Sequence, residues 1–389
     1  MLLSLVCGLL SLSSFTLALP TSHATLERRD AYNAPRLVNY VQTFHDVAGN
    51  PLSLLPLLNE NTGITHVNLA ALHINSDASD ITLNDNNPNS SYWDSVWSDV
   101  KQLQAGGIKV LFMLGGAAAG SYPRLCGSAV PAVIDETYYG VLRDTIRAHD
   151  IDGMDLDIEE SVDMTCALAL LQRLNADFGS DFILTMAPVA SAMWPDGPGL
   201  SGFDYPTLDA QATDASRPNG KLVDWYNAQF YNGWGDASTQ TFYDAIITMG
   251  GWSPDRVVMG VLDSSGDGGS GFVPIKTLES VILQLRANYA NFGCAVGWEY
   301  WDAGTTDSPA FEYPWQWVQA VSSAVSGDQT LPAKNLTSSP LPNPAAPFPS
   351  LTETLVHLGA EWLWAVWALN VTDGNLLEAE QLLNLTSLL

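Results

Sequence analysis

Basic side chains are scarce in this chain: 15 Lys and Arg stand against 42 Asp and Glu in 389 residues, a formal net charge of −27. Such a surface repels phosphate backbones and anionic headgroups, so neither nucleic acid nor a membrane is an expected partner. The six His show no HExxH spacing and no Gly-x-Ser-x-Gly elbow occurs, which leaves zinc-hydrolase and serine-hydrolase chemistry without a motif. Near the C-terminus, Glu353, His357 and Glu361 interrupt the apolar stretch around Trp362 to Leu369, so an amphipathic helix is expected there rather than a spanning one. Glu378, Glu380 and Gln381 follow where a lipid-anchor signal needs a continuous apolar tail.

Cysteine is also sparse, with four residues. Residues Leu2 to Leu19 are apolar and uncharged, as in the h-region of a secretory signal, and Arg28-Arg29 reads as a dibasic processing site. Residues 1–29 are therefore expected to be a signal peptide and short propeptide, and the protein is expected to be secreted. Removing Cys7 with that leader leaves Cys126, Cys166 and Cys294 in an oxidising compartment. The first two lie shortly after predicted strands on consecutive loops and are expected to pair. Cys294 sits inside an apolar strand and is expected to be a buried thiol. Sequons at Asn89, Asn335, Asn370 and Asn384 agree with secretion.

What the chain has in quantity is alternation of strand-like and helix-like runs. Eight strand candidates are Arg36 to Gln42, Thr65 to Ile74, Ile108 to Leu114, Ile151 to Glu159, Phe182 to Pro188, Val223 to Tyr231, Arg256 to Leu262 and Gly293 to Trp301. Between them, stretches such as Trp93 to Gln104, Thr137 to His149, Ala167 to Phe178 and Thr277 to Tyr289 repeat apolar residues at three and four, the helical period. Repeated βα units of this number predict an α/β fold, a (β/α)8 TIM barrel over residues 30–326. Residues 327–350, rich in Pro and Ser, read as a linker, and 351–389 as a helical tail of unknown role.

The fourth predicted strand carries the chemistry. In Ile-Asp-Gly-Met-Asp-Leu-Asp-Ile-Glu, from Ile151 to Glu159, the period of two puts Asp155, Asp157 and Glu159 on one face. Like charges at that spacing in a partly desolvated place cannot all ionise cheaply, so at least one should hold a proton, as a general acid must. A divalent-metal site is the other chemical reading. It lacks support, because the neighbouring strands end in Gly115-Gly116, Ala187-Pro188 and Tyr231-Asn232. No cofactor and no metal is expected. Gly266-x-Gly268-x-x-Gly271 follows the seventh strand, where some barrels hold phosphate, yet Asp263 and Asp267 would repel an anion. The 13 Trp and 13 Tyr suit a sugar-binding cleft, among them Trp194, Trp234 and Trp301 just after strands, although most aromatics are core.

Asp152-Gly153-x-Asp155-x-Asp157-x-Glu159 resembles the DxxDxDxE signature of glycoside hydrolase family 18. Gly115-Gly116, Met186-Ala187-Pro188, Gln229-Phe230-Tyr231-Asn232 and Trp298-Glu299-Tyr300 extend the resemblance across the barrel. Thr43-Phe44-His45-Asp46 makes the texture similar to secreted fungal endo-β-N-acetylglucosaminidases and chitinase-like proteins. The resemblance implies substrate-assisted retaining hydrolysis, in which the acetamido oxygen of a bound N-acetylglucosamine attacks its own anomeric carbon. It implies Glu159 as acid and base, Asp157 as the group orienting the acetamido N–H, Asp155 as its proton partner and Tyr231 as donor to the acetamido oxygen. Tyr40, Gly115, Gly116, Met186, Gln229, Asn232 and Trp298 are the implied substrate-binding residues. Many chitinases have Ser where Met113 stands, which would take a hydrogen-bond partner from Asp155. The expected partner is an N-acetylglucosamine-containing glycan, an N-glycan core slightly ahead of chitin, and the expected state is a monomer. A lectin on the same barrel, binding without cutting, is the alternative of a different class.

Overall fold

The computed structural model describes residues 35–307 and 310–326, with isolated positions between 351 and 379. The predicted leader and linker, and the sequons at Asn335, Asn370 and Asn384, lie outside the described residues. The strands are β1 (Arg36–Val41), β2 (His66–Ile74), β3 (Ile81–Leu83), β4 (Lys109–Gly115), β5 (Gly153–Asp157), β6 (Ile183–Met186), β7 (Trp225–Gln229), β8 (Val257–Leu262) and β9 (Cys294–Trp298). All but β3 pair in parallel in the order β1-β9-β8-β7-β6-β5-β4-β2, and β1 pairs with β2 to close an eight-stranded barrel. The short β3 folds back antiparallel on the far end of β2, aligning Ile81 with Ile74.

Parity along each strand sorts side chains between two cores. Val38 and Tyr40, Leu111 and Met113, Ile183, Trp225, Val258 and Val296 fill the barrel, with Trp298 partly buried above them. The alternate residues face a ring of helices and join one large outer core. Its longer helices are α1 (Asp94–Ala105), α2 (Glu136–His149), α3 (Met164–Phe178), α4 (Ile275–Asn288) and α5 (Pro314–Ser326). Two of them start on an aspartate whose carboxylate accepts a first-turn amide, Asp135 from Thr137 and Asp163 from Thr165, satisfying otherwise orphaned donors.

Cys126 and Cys166 are joined in a disulfide with Cα atoms 5.4 Å apart, and Cys294 is a buried thiol. No helix among the described residues is long and apolar enough to cross a membrane. Beyond residue 350, Leu355, Ala365, Ala368, Leu369 and Ala379 are buried together, and Trp234 from the loop after β7 packs partly buried against them.

Candidate active site

The acidic signature divides its residues by height along β5. Asp152, just before the strand, accepts from Lys109 Nζ at 2.7 Å, Gln104 Nε2 at 2.9 Å and the Val110 amide at 3.0 Å. It ties β4 to β5 at the barrel floor and is structural. Asp155 points into the barrel and is fully buried, with Thr185 Oγ1 at 2.5 Å, Tyr40 Oη at 2.7 Å and Asn227 Nδ2 at 3.0 Å all donating to it. Met113 therefore leaves Asp155 well supplied, because the donors come from β1, β6 and β7. Burial raises its pKa, and the three donors pull the other way.

Asp157 stands one inward position higher, and Glu159 lies just past the end of β5, half-buried at the mouth. Gln229 Nε2 reaches Asp157 Oδ1 at 3.2 Å, Glu159 Oε1 at 3.1 Å and the Ala187 carbonyl at 3.0 Å, so one amide spans both acids. Burial holds the Asp157 pKa well above the ordinary carboxylic range, with the charges of Glu159 and Asp155 adding to it. These surroundings favour the protonated form of the middle acid.

Above these acids is a pocket lined by Tyr40, Asp157, Ala187, Asn227, Gln229, Tyr231 and Trp298, among others. The Trp298 ring meets the Tyr40 ring edge-on at 5.5 Å. Burial pushes the Tyr231 hydroxyl up, with Asp157 and Glu159 contributing, which keeps it a donor across the working range of pH. The pocket offers the Asp157 carboxyl, the Tyr231 phenol and the Trp298 indole, and Glu159 is joined to it through the Gln229 amide.

Several implied substrate contacts act from behind the pocket or away from it. Tyr40 lines it, yet its hydroxyl is committed to Asp155. Gly115 and Gly116, at φ of 97° and 82°, buttress β5: the Gly116 amide donates to the Asp157 carbonyl at 2.9 Å, and a Cβ on Gly115 would lie 2.3 Å from that oxygen. Met186 is a correction. Thr185 before it faces inward, so Met186 faces the helices and belongs to the outer core, and Ala187 lines the pocket instead. Asn232 is a second correction, because its side chain holds a neighbouring loop at Gly269 rather than the pocket. Trp194 is core, packed against Phe242 at 5.1 Å, and offers no free face. Asn227 and Thr185 were missed. The parity that turns Gln229 and Tyr231 inward also turns Asn227 inward, and a polar side chain at a barrel-facing position is the signal that identifies it.

A family model described as glycosyl hydrolases family 18 matches residues 36–264, more than half of the chain. Chitinase 2 of Rhizopus oligosporus is 32% identical over 221 residues, covering 54% of this chain and 36% of that protein. The chain thus aligns with only about a third of that relative's length. Among solved structures, a chitinase of Aspergillus fumigatus is 42% identical with a TM-score of 0.65, over 74% of this chain and 99% of that one. A fungal endo-β-N-acetylglucosaminidase is 36% identical with a TM-score of 0.68, over 76% of this chain and 100% of that one. A closed barrel with the acidic signature on its fourth strand, β5, and a match of this extent establish that the chain belongs to glycosyl hydrolase family 18.

Proposed function

We propose that this protein is a secreted, retaining glycosidase that cuts the β-1,4 bond between two N-acetylglucosamine units, with the N-glycan core as its preferred substrate. The observation that carries the reaction is the single Gln229 amide spanning Asp157 and Glu159 beneath a pocket walled by Tyr231 and Trp298. In the first step, the acetamido oxygen forms a bond to the anomeric carbon while the glycosidic C–O bond breaks and the Glu159 proton passes to the leaving oxygen. The proton of Asp157 moves to the buried Asp155, and the Asp157 carboxylate accepts from the acetamido N–H of the oxazolinium ion. In the second step, Glu159 takes a proton from water, whose oxygen attacks the anomeric carbon and reopens the ring with retention.

The protein supplies no nucleophile in this scheme, so orientation is most of what it contributes. Gln229→Leu is accordingly expected to lower kcat about tenfold to a hundredfold with KM less affected, measured by steady-state kinetics on the preferred substrate. An unchanged kcat would remove Gln229 from the site.

The substrate preference rests on the groove beside the pocket. An open groove of about 880 Å³ begins two residues past Tyr40 and two past Gly116, at the ends of β1, β2 and β4. Gln42, Asn75, Asp80, Asn84, Asp85 and Arg124 are among its lining residues, and among the described residues no Trp, Tyr or Phe lines it. A linear chitin chain is gripped by apolar sugar faces on aromatic steps, whereas paired amides, carboxylates and a guanidinium suit the diols of branched mannoses. The names of the Rhizopus and Aspergillus relatives favour chitin, the second reading. Incubation with a denatured high-mannose glycoprotein and with chitin oligomers separates the two. Glycan released from the first with no shortening of the second is the expected result, and the reverse assigns a chitinase. The leader at 1–29, the barrel at 30–326, the linker at 327–350 and the tail at 351–389 belong to the same proposal, as does a monomeric state.

A further inference from the structure

The run Gly266-x-Gly268-x-x-Gly271 has no part in the chemistry above, yet it sits at the site. Residues 263–271 follow β8 and touch the ends of both neighbouring strands, Tyr231 and Asn232 past β7 and Trp298 and Glu299 at the end of β9. On the β7 side, Asn232 Oδ1 accepts from the Gly269 amide at 2.7 Å, and the Asn232 amide donates to the Ser270 carbonyl at 3.0 Å. The approach is close enough that a Cβ on Gly268 would lie 2.9 Å from Asn232 Oδ1, and one on Gly271 2.8 Å from the Tyr231 Cα. On the β9 side, the Asp263 amide donates to the Trp298 carbonyl at 2.7 Å and the Glu299 amide donates to Asp267 Oδ2 at 3.2 Å. Glu299 Oε2 in turn accepts from the Gln42 amide at 3.2 Å, which ties β9 to β1. Tyr231 and Trp298 both line the pocket, and each is followed directly by the residue that holds this loop.

We propose that Asn232 and Asp267 are positioning residues, which clamp Tyr231 and Trp298 against the bound sugar through the loop between them. The inference rests on the glycosidase reading for its kinetic consequences, and on geometry alone for its structural ones. The glycines serve close approach. Phosphate binding is a poor alternative, because the Gly269 amide is taken by Asn232 and two acids stand in the loop.

The clamp is sensitive to charge. Asp267 is pushed up to about 7 by burial, then by the charges of Asp302 and Glu299, against the pull of the Glu299 amide. The groups facing it are Asp302 and Glu299 from the segment after β9 and Asp263 from its own loop, with Asp307 facing Asp263 in turn. No cation is among them. Asp263 is fully buried, accepts from Asn39 Nδ2 at 2.6 Å, and burial holds it well above the ordinary range. As pH rises through about 7, a charge develops on Asp267 against Glu299 and Asp302, and the Trp298 side of the clamp loosens.

Asp267→Asn keeps an acceptor for the Glu299 amide and removes the charge. In the full chain, the basic limb of its pH profile of kcat/KM is expected to lie about one pH unit above that of the wild type. A limb at the same pH in both proteins overturns the assignment of Asp267. Asn232→Ala is expected to lower kcat about tenfold at little changed KM, as Tyr231 loses its support. A kcat within about twofold of wild type overturns the β7 half. Hydrogen exchange of the Glu299 amide reads the clamp without turnover. Protection is expected to fall in Asp267→Ala, which removes the acceptor, and to persist in Asp267→Asn, which keeps one. Equal protection in both sinks the clamp, whereas inactivity of the wild type on both glycans with the expected exchange sinks only the glycosidase reading.

Discussion

Glu159→Gln is expected to lower the rate of hydrolysis about 10³-fold while sugar affinity stays within a few-fold. Glutamine preserves the shape of the side chain at the mouth of the pocket but can neither give a proton to the leaving oxygen nor take one from water. The two steps of the proposed cycle both pass through this one carboxyl, so both barriers rise. Binding in the proposed cycle depends instead on Trp298, Tyr231 and the groove, which the substitution leaves in place. The comparison that isolates the role uses an aryl glycoside whose leaving group departs without protonation. Its first step should be nearly spared, and added azide, which needs no general base, should restore turnover in Glu159→Ala. A variant within about tenfold of wild type on the natural linkage would move the acid elsewhere in the site. A wild type that binds both glycans and cuts neither would instead favour the lectin reading, in which the acids are structural.

The position of this acid was legible in the sequence because parity and strand direction together decide it. Alternation from Met154 to Ile158 turned the three acids inward, and the acid farthest along a barrel strand must be the one nearest the mouth. The same arithmetic delivered the eight parallel strands to within a few residues, β5 being two residues shorter at each end than the predicted run. The short β3 was not legible, since three residues on an edge carry no periodicity and form only because β2 overruns its partners. For Met186 the motif and parity point to opposite faces, and parity holds, with Thr185 inside and Met186 outside. Asn227 lay in plain view on the inward face of β7 and was passed over. Asn232 and Asp267 are of another kind. Asn232 lies beyond the strand, where parity no longer applies, in a left-handed turn at φ 56°. Asp267 is paired with an amide 32 residues away, a contact that only the closed barrel creates.

Arg217→Met is expected to destabilise the folded barrel by about 3–5 kcal/mol at neutral pH, the largest stability effect that any single exchange here should produce. The guanidinium is wholly buried and donates to Asn175 Oδ1 at 2.9 Å, to the Phe182 carbonyl at 3.0 Å and to Asp224 Oδ2 at 2.6 Å. It thereby joins α3, the start of β6 and the start of β7 at the floor of the barrel. Asp224 Oδ2 also accepts from the Leu184 amide at 2.8 Å and feels the charge of Arg36, but neither replaces the hydrogen-bonded guanidinium. Although the pair is close, burial pushes Asp224 up to about 6, with Arg217 and the Leu184 amide pulling it back only in part. The sign of the pH dependence follows from this. The folded state holds a proton on Asp224 more tightly than the unfolded chain, whose carboxyl titrates near its ordinary value of about 3.9. Stability from this group therefore falls as pH rises between about 4 and 6 in the wild type. Without Arg217 the carboxyl rises further, so the variant should be closer to wild type at pH 5 than at pH 8. Urea unfolding of both proteins at about those two pH values measures the difference, and an equal loss at both would show that the guanidinium acts through packing rather than through Asp224.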